Sequence, residues 1–142
     1  MRQARKINVV PTEDEEAYDF ADWLEGQGDI AFTHIANEVG SQSQSAKIRA
    51  FKARRMGQRP GVWDYELFIP VYNCDGEIDV YQEARVELKR VKGGTVSEKQ
   101  KEWGAIYEKA NIPHKVCKGA REAIKFVQDL RLEIGGYRGT DY

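Results

Sequence analysis

Two hydrophobic periods alternate along this chain, and their order predicts its elements. Behind Pro11, Thr12 and Glu15 fit a Ser/Thr-x-x-Glu capping box, and Ala17, Phe20, Ala21 and Leu24 recur at helical spacing. A first helix is expected from about Glu13 to Glu25, stopped by Gly26 and Gly28. Ile30 to Ile35 has the β-branched and aromatic content of a strand. The Ser/Gln-rich stretch Ser41 to Ser45 reads as a loop, and Ala46 to Arg55 as a basic helix with Ile48 and Phe51 facing inward. Gly57 and Pro60-Gly61 break the chain after it.

Asp64 to Tyr72 reads as a strand, with Pro70 marking an edge or a bulge near its end. Asn73 to Gly76 is a turn, and a second strand follows from about Val80 to Val91, so the pair forms an antiparallel hairpin. Gly93-Gly94 close it. Ser97 and Gln100 form a second capping box, opening a helix whose inner face is expected to be Trp103, Ile106, Tyr107 and Ala110. Asn111 and Pro113 stop that helix, His114 to Lys118 is a short strand, and Ala120 to about Ile134 is a helix with Ala123, Ile124, Val127 and Leu130 on one face. Helices on either side of a small sheet make an α/β layered domain, and no internal repeat is present.

At 142 residues the chain has the length of one domain, 1–142, with an expected core over about 12–134 and a Gly-rich tail from Gly135 expected to be mobile. A hydrophobic content of 41% argues against disorder. No apolar run reaches the roughly 20 residues that span a bilayer, and no signal-type stretch follows the start, so a soluble cytoplasmic protein is expected. Cys74 and Cys117 are too few for a disulfide scaffold; with His34 and His114 they also lack the close ligand pair of a zinc site.

Charge changes the picture more through its distribution than its sum. Twenty-two bases against 23 acids give a net charge of −1. Between Glu13 and Asp29, however, stand eight acids and no base, and from Val39 to Trp63 there are Lys47, Arg49, Lys52, Arg54, Arg55 and Arg59 and no acid. The cationic segment suits phosphate neutralisation without sequence readout, and Arg90 and Lys92 could extend it. A solvated charged helix is the plainer alternative. No helix-turn-helix or zinc-finger pattern is present.

The candidate chemistry lies at Asp64 and at Glu87-Leu88-Lys89. Period-two alternation puts Glu87 and Lys89 on one face of their strand. Two carboxylates suit Mg²⁺ or Mn²⁺, whose bound water can serve as a nucleophile, and a lysine can orient that water or offset charge on phosphate. Glu-x-Lys also occurs by chance in many salt-bridged sheets.

The ordered set Gly57, Pro60-Gly61-Val62-Trp63-Asp64, Val86-Glu87-Leu88-Lys89-Arg90, Gly93-Gly94, Ser97, Gln100 and Gly119 resembles the virus-type replication-repair nuclease (VRR-NUC) domain. That family is a branch of the PD-(D/E)xK nucleases, and the resemblance is to its short stand-alone phage and bacterial form, over about Thr12 to Ile134. It implies a restriction-endonuclease-like fold, a small mixed central sheet flanked by helices. It also implies a metal-dependent DNA endonuclease in which Asp64, Glu87 and a first-helix acid bind Mg²⁺ or Mn²⁺, Lys89 assists the attacking water and Gln100 completes the site. Glu15 and Glu16 are the first-helix choices; Glu15 is the capping partner of Thr12, and Glu16, one and two turns before Phe20 and Leu24, is preferred. Branched DNA such as Holliday junctions and a homodimer are further implications. Trp63 departs from the family pattern, where a small residue or proline is more usual before the aspartate. His34, with Asn37 and Glu38, resembles a stretch common after the first strand of phage members and is a candidate substrate contact, or a structural histidine. The rival reading from another class is a catalytically silent nucleic-acid-binding domain, in which the same carboxylates only make salt bridges.

Overall fold

The computed structural model of the chain describes residues 9–36 and 43–135. They form α1 (Glu13–Gln27), β1 (Ala31–His34), α2 (Gln44–Arg55), β2 (Tyr65–Tyr72), β3 (Ile78–Lys89), α3 (Glu98–Lys109), β4 (His114–Lys118) and α4 (Ala120–Ile134). Asn37, Glu38, the start of the Ser/Gln-rich stretch and the tail from Gly136 lie outside the described residues.

Local chemistry accounts for the helix starts. The hydroxyls of Thr12, Ser43 and Ser97 each accept a hydrogen bond from the backbone N–H three residues on, satisfying a donor that the first helical turn leaves without a partner. At α3 the box closes fully, with the Gln100 amide oxygen accepting from the Ser97 N–H at 2.9 Å.

The four strands lie in the order β1-β2-β3-β4. β1 and β3 pair antiparallel with β2, and β4 runs parallel to β3. Pro70 lies beyond Phe68, the last β2 residue paired with β1, and the β2–β3 register slips at Val71/Tyr72, so both the edge and the bulge expected there are present.

One face of the sheet carries the core. Tyr65, Leu67 and Ile69 of β2 and Ala84, Val86 and Leu88 of β3 alternate onto it, and α1 and α4 cover them with Phe20, Leu24, Ala123, Val127 and Leu130. The alternate positions, Glu66, Glu83, Arg85, Glu87 and Lys89, belong to the opposite face, where the Arg85 guanidinium stacks over the Tyr107 ring of α3 at 5.4 Å. The sheet is thus apolar on one side and charged on the other.

Two helix faces differ from the sequence expectation. Ile48 and Phe51 point outward rather than inward, 48% and 64% exposed, and Ala46 is the buried residue of α2. On α3 only Tyr107 is buried; Ile106 and Ala110 are exposed, since the helix lies on a sheet edge rather than in the core. None of the described helices is long and apolar enough to cross a membrane.

A buried ion pair ties the far end of the core. Arg131, 2% exposed, donates from Nη1 and Nη2 to the Asp29 carboxylate at 3.0 and 2.7 Å, and the Tyr72 hydroxyl donates to the same carboxylate at 2.8 Å. A bidentate pair out of water tolerates little change, since loss of one partner leaves a charge uncompensated. Asp29→Ala is expected to lower the unfolding free energy by about 3–5 kcal/mol, against about 1 kcal/mol for Tyr72→Phe, measured by urea denaturation. Equal, small effects would show that the pair is solvated.

Candidate active site

The β2–β3 register decides what faces what at the mouth of the hairpin. Tyr65 stands opposite Val86, so one step further Asp64 stands opposite Glu87, on the face away from the core. Side chain and backbone then interlock across the two strands. The Asp64 N–H donates to Glu87 Oε2 at 3.2 Å, and the Leu88 N–H donates to Asp64 Oδ2 at 2.9 Å.

Glu87 is 1% exposed, and its other oxygen is held from two sides. Lys89 Nζ lies 3.0 Å from Oε1, and Gln100 Nε2 donates to the same atom at 2.6 Å. Gln100 therefore does both jobs open to it: its oxygen caps α3 while its nitrogen reaches Glu87.

The Trp63 that departs from the family pattern braces this arrangement. Its indole N–H donates to the Gln100 carbonyl at 2.9 Å, and the Trp103 indole donates back to the Pro60 carbonyl at 3.1 Å. Gly61, at φ +81°, permits the close approach: a Cβ there would sit 2.6 Å from the Lys99 carbonyl carbon. Gly104 makes room likewise, since a Cβ would come 3.0 Å from the Trp63 ring. Two indoles and two glycines thus fix the start of α3, and Gln100 with it, against the segment carrying Asp64.

A solved structure described as "VRR_NUC domain protein" matches with a TM-score of 0.66 and 22% identity, over 94% of this chain and 98% of that one. The chain has the VRR-NUC fold. No family model and no curated protein matches the sequence.

Within this VRR-NUC fold the acid expected from the first helix has a structural bond of its own. Glu16 is buried, and its Oε2 accepts a hydrogen bond from the Ala120 N–H. α4 begins at Gly119, which offers no side-chain cap, so Glu16 supplies one from α1 and sets a negative charge at the positive end of the helix. Gly119, at φ +88°, is required here: a Cβ would lie 2.9 Å from Val91 Cγ2 and 3.1 Å from Glu16 Oε2. Glu13, one turn before it, feels the charges of Asp64 and Lys89, and the sequence reading did not weigh it. Burial and then the Asp64 charge raise its carboxyl above the ordinary value, while Lys89 and His34 oppose them. A signal for it existed, because Glu13, Glu16, Phe20 and Leu24 fall on one helical stripe.

His34 lies at the end of β1 with its ring edge-on to Tyr65, centroids 5.0 Å apart, and its charge acts on Asp64. Asn37 falls outside the described residues. Lys47, Arg49, Lys52, Arg54, Arg55, Arg59 and Lys92 are exposed, and among the described residues none of them makes an ion pair. Arg59 uses Nη1 on the Arg54 carbonyl at the end of α2, and Arg90 ties the backbone of Val10 and Pro11. Cys117 is buried with its thiol pushed up to about 12, and Cys74 is exposed; neither adjoins a metal-type cluster.

Electrostatically the centre is short of positive charge. Burial, and then the Asp64 charge, push the Glu87 carboxyl up to about 7, with Lys89 opposing. Asp64 is raised as well, by burial above all, against the Leu88 N–H bond and the charges of His34 and Lys89. A carboxyl raised on folding binds its proton more tightly in the native state, so native stability is greatest when both states are protonated and falls as pH rises from about 4.5 to about 7. In EDTA the parent is expected to lose a few kcal/mol between pH 5 and pH 8, and Glu87→Gln to lose much less, by urea denaturation at each pH. An identical slope in both proteins would place the titration elsewhere.

Proposed function

We propose that this protein is a metal-dependent DNA endonuclease of the VRR-NUC type. The observation that carries the reading is the convergence of Asp64, Glu87, Lys89 and Gln100 at one end of the β2–β3 hairpin, with Glu87 held at both oxygens. A charged pair with no further task would not need a buried carboxyl pushed up to about 7.

The residues suit a hard divalent cation. Both donors are carboxylates, their charges repel, and a cation would relieve the excess that raises both groups. Carboxylate oxygens are the donors that Mg²⁺ and Mn²⁺ prefer, whereas zinc favours nitrogen and sulfur. Asp64 and Glu87 would hold the ion, and Glu13, on whose carboxyl the Asp64 charge acts, is the first-helix acid proposed to assist them. The ion, when bound, supplies a water of lowered pKa and offsets charge on the phosphate.

The chain's own groups have distinct tasks. Lys89 places its ammonium beside Glu87, where it can orient the attacking water and offset the negative charge that builds on phosphate. Gln100 fixes the Glu87 carboxylate from α3. The α2 cations and Lys92 neutralise backbone phosphates without reading bases, and His34 stands at the rim as a substrate contact. Branched DNA in phage or bacterial recombination or repair, in the cytoplasm, is the proposed setting, and a homodimer would present two such centres to one junction.

Labelled linear, flapped and four-way-junction DNA should be cut with Mg²⁺ or Mn²⁺ and not with EDTA. Glu87→Ala should abolish cutting and Lys89→Ala should slow it by about 10²–10³-fold, the usual loss for one stabilising donor. DNA binding without any cutting by the parent would leave the silent binding domain as the better reading. The two first-helix acids separate cleanly: Glu13→Gln should reduce cleavage at unchanged thermal stability, whereas Glu16→Ala should cost about 1–2 kcal/mol of stability as a lost helix cap. Replacing Arg54 and Arg55 together with alanine should weaken binding to all duplex sequences alike and reduce the log–log salt slope by about 1.8. Loss confined to particular sequences would contradict phosphate contact.

A further inference from the structure

α2 carries a feature that the cleavage centre does not use. Ile48, Phe51 and Met56 stand 48%, 64% and 82% exposed along its outer side. They line a hollow of about 660 Å³ together with Lys47, Lys52 and Arg55. A second hollow of about 380 Å³ is lined by Phe51, Arg54, Arg55 and Arg59, and Phe51 and Arg55 belong to both. An aromatic ring and a guanidinium thus border both an apolar hollow and an arginine-lined one.

An apolar face left in water on a helix calls for a partner, and its surroundings limit which one. Every charged residue from Val39 to Trp63 is a cation, so the partner is anionic. Paired duplex meets the charge but keeps its base faces stacked inside, leaving Ile48 and Phe51 in water. A second α2 would set cations against cations. The acidic side of α1 from a second copy meets the charge, yet Tyr18 is its one large exposed apolar side chain, too little to cover three. A single DNA strand offers both chemistries at once: flat bases with free π-faces and a phosphate on every unit.

We propose that this face of α2 binds unpaired DNA, with a base stacked on Phe51 beside Ile48 and Met56 and the flanking phosphates on Lys47, Lys52, Arg54 and Arg55. The inference deepens the nuclease reading by naming the substrate feature the enzyme holds. Arg55 and Asp64 are nine positions apart, a reach of at most about 31 Å, so the unpaired stretch and the cut lie close together on one DNA molecule. Flaps and gaps supply such a stretch, and intact duplex does not.

The test reads binding without cleavage, in EDTA, by fluorescence anisotropy with labelled oligo-dT and with a duplex of equal length. Phe51→Ala should weaken oligo-dT binding at least about fivefold, the least that loss of one base–aromatic stack gives, and change duplex binding by under about twofold. Phe51→Trp should keep the oligo-dT affinity and show added fluorescence quenching over the parent. Because Phe51 is exposed, both variants should fold, which circular dichroism checks. Unchanged oligo-dT binding, or equal losses for single strand and duplex, would overturn the proposal. So would sedimentation showing that Phe51→Ala splits a dimer while oligo-dT affinity stays the same, which would make this face a contact between copies. Phe51-dependent oligo-dT binding by a parent that cuts nothing would sustain this inference and defeat the nuclease reading alone.

Discussion

The antiparallel register of β2 against β3 is the constraint on which the site depends. With Tyr65 opposite Val86, the core face receives Tyr65, Leu67, Ile69, Ala84, Val86 and Leu88, and Asp64 meets Glu87 on the other face. A slip of one residue would turn each buried side chain of the moved strand to the charged side and separate the two carboxylates in the same motion. Core burial therefore enforces the geometry of the site. A fully buried Leu or Ile is worth roughly 1.5–3 kcal/mol, so several such residues outweigh the repulsion of two carboxylates placed together.

The register alone places two acids; the rest of the centre is brought by loops held at fixed separations. Gly119 joins three elements, since its N–H donates to the Lys89 carbonyl at the end of β3 and its missing side chain admits Glu16 of α1 to the head of α4. The two indole hydrogen bonds do the equivalent for α3. Gln100 illustrates the economy of this arrangement. Its oxygen is used in starting the helix, so its rotamer is already fixed when its nitrogen meets Glu87, and little side-chain entropy is left to lose.

Most of this fold was legible in the sequence because capping residues and periodicity are local signals. β4 and α4 have the bounds read from the chain, and α1, β2 and β3 differ by one or two residues at their ends. Asp64, Glu87 and Lys89 were legible because alternation and the hairpin imply their convergence. What escaped depends on contacts distant in sequence. The Asp29–Arg131 pair joins residues 102 apart, and no local pattern announces it. Ile48 and Phe51 read as core because helical spacing tells which side chains share a face, not whether anything lies against that face. Trp63 looked like a flaw in the motif until its partner, the Gln100 carbonyl, was placed beside it.

The first helix shows how one stripe of residues divides its tasks by depth. Glu13, Glu16, Phe20 and Leu24 share a face that runs from the solvent edge into the core. At the deep end the residues are apolar. At Glu16 the carboxylate is buried, and a buried charge is tolerable only with a partner, which the N-terminus of α4 provides. One turn nearer the surface, Glu13 keeps much of its side chain in water, and partial burial and the charges of Asp64 and Lys89 act on its carboxyl. Depth along the stripe thus decides what acts on each acid: burial makes Glu16 depend on a fixed partner at the head of α4, whereas Glu13, nearer the rim, is left to the charges around it.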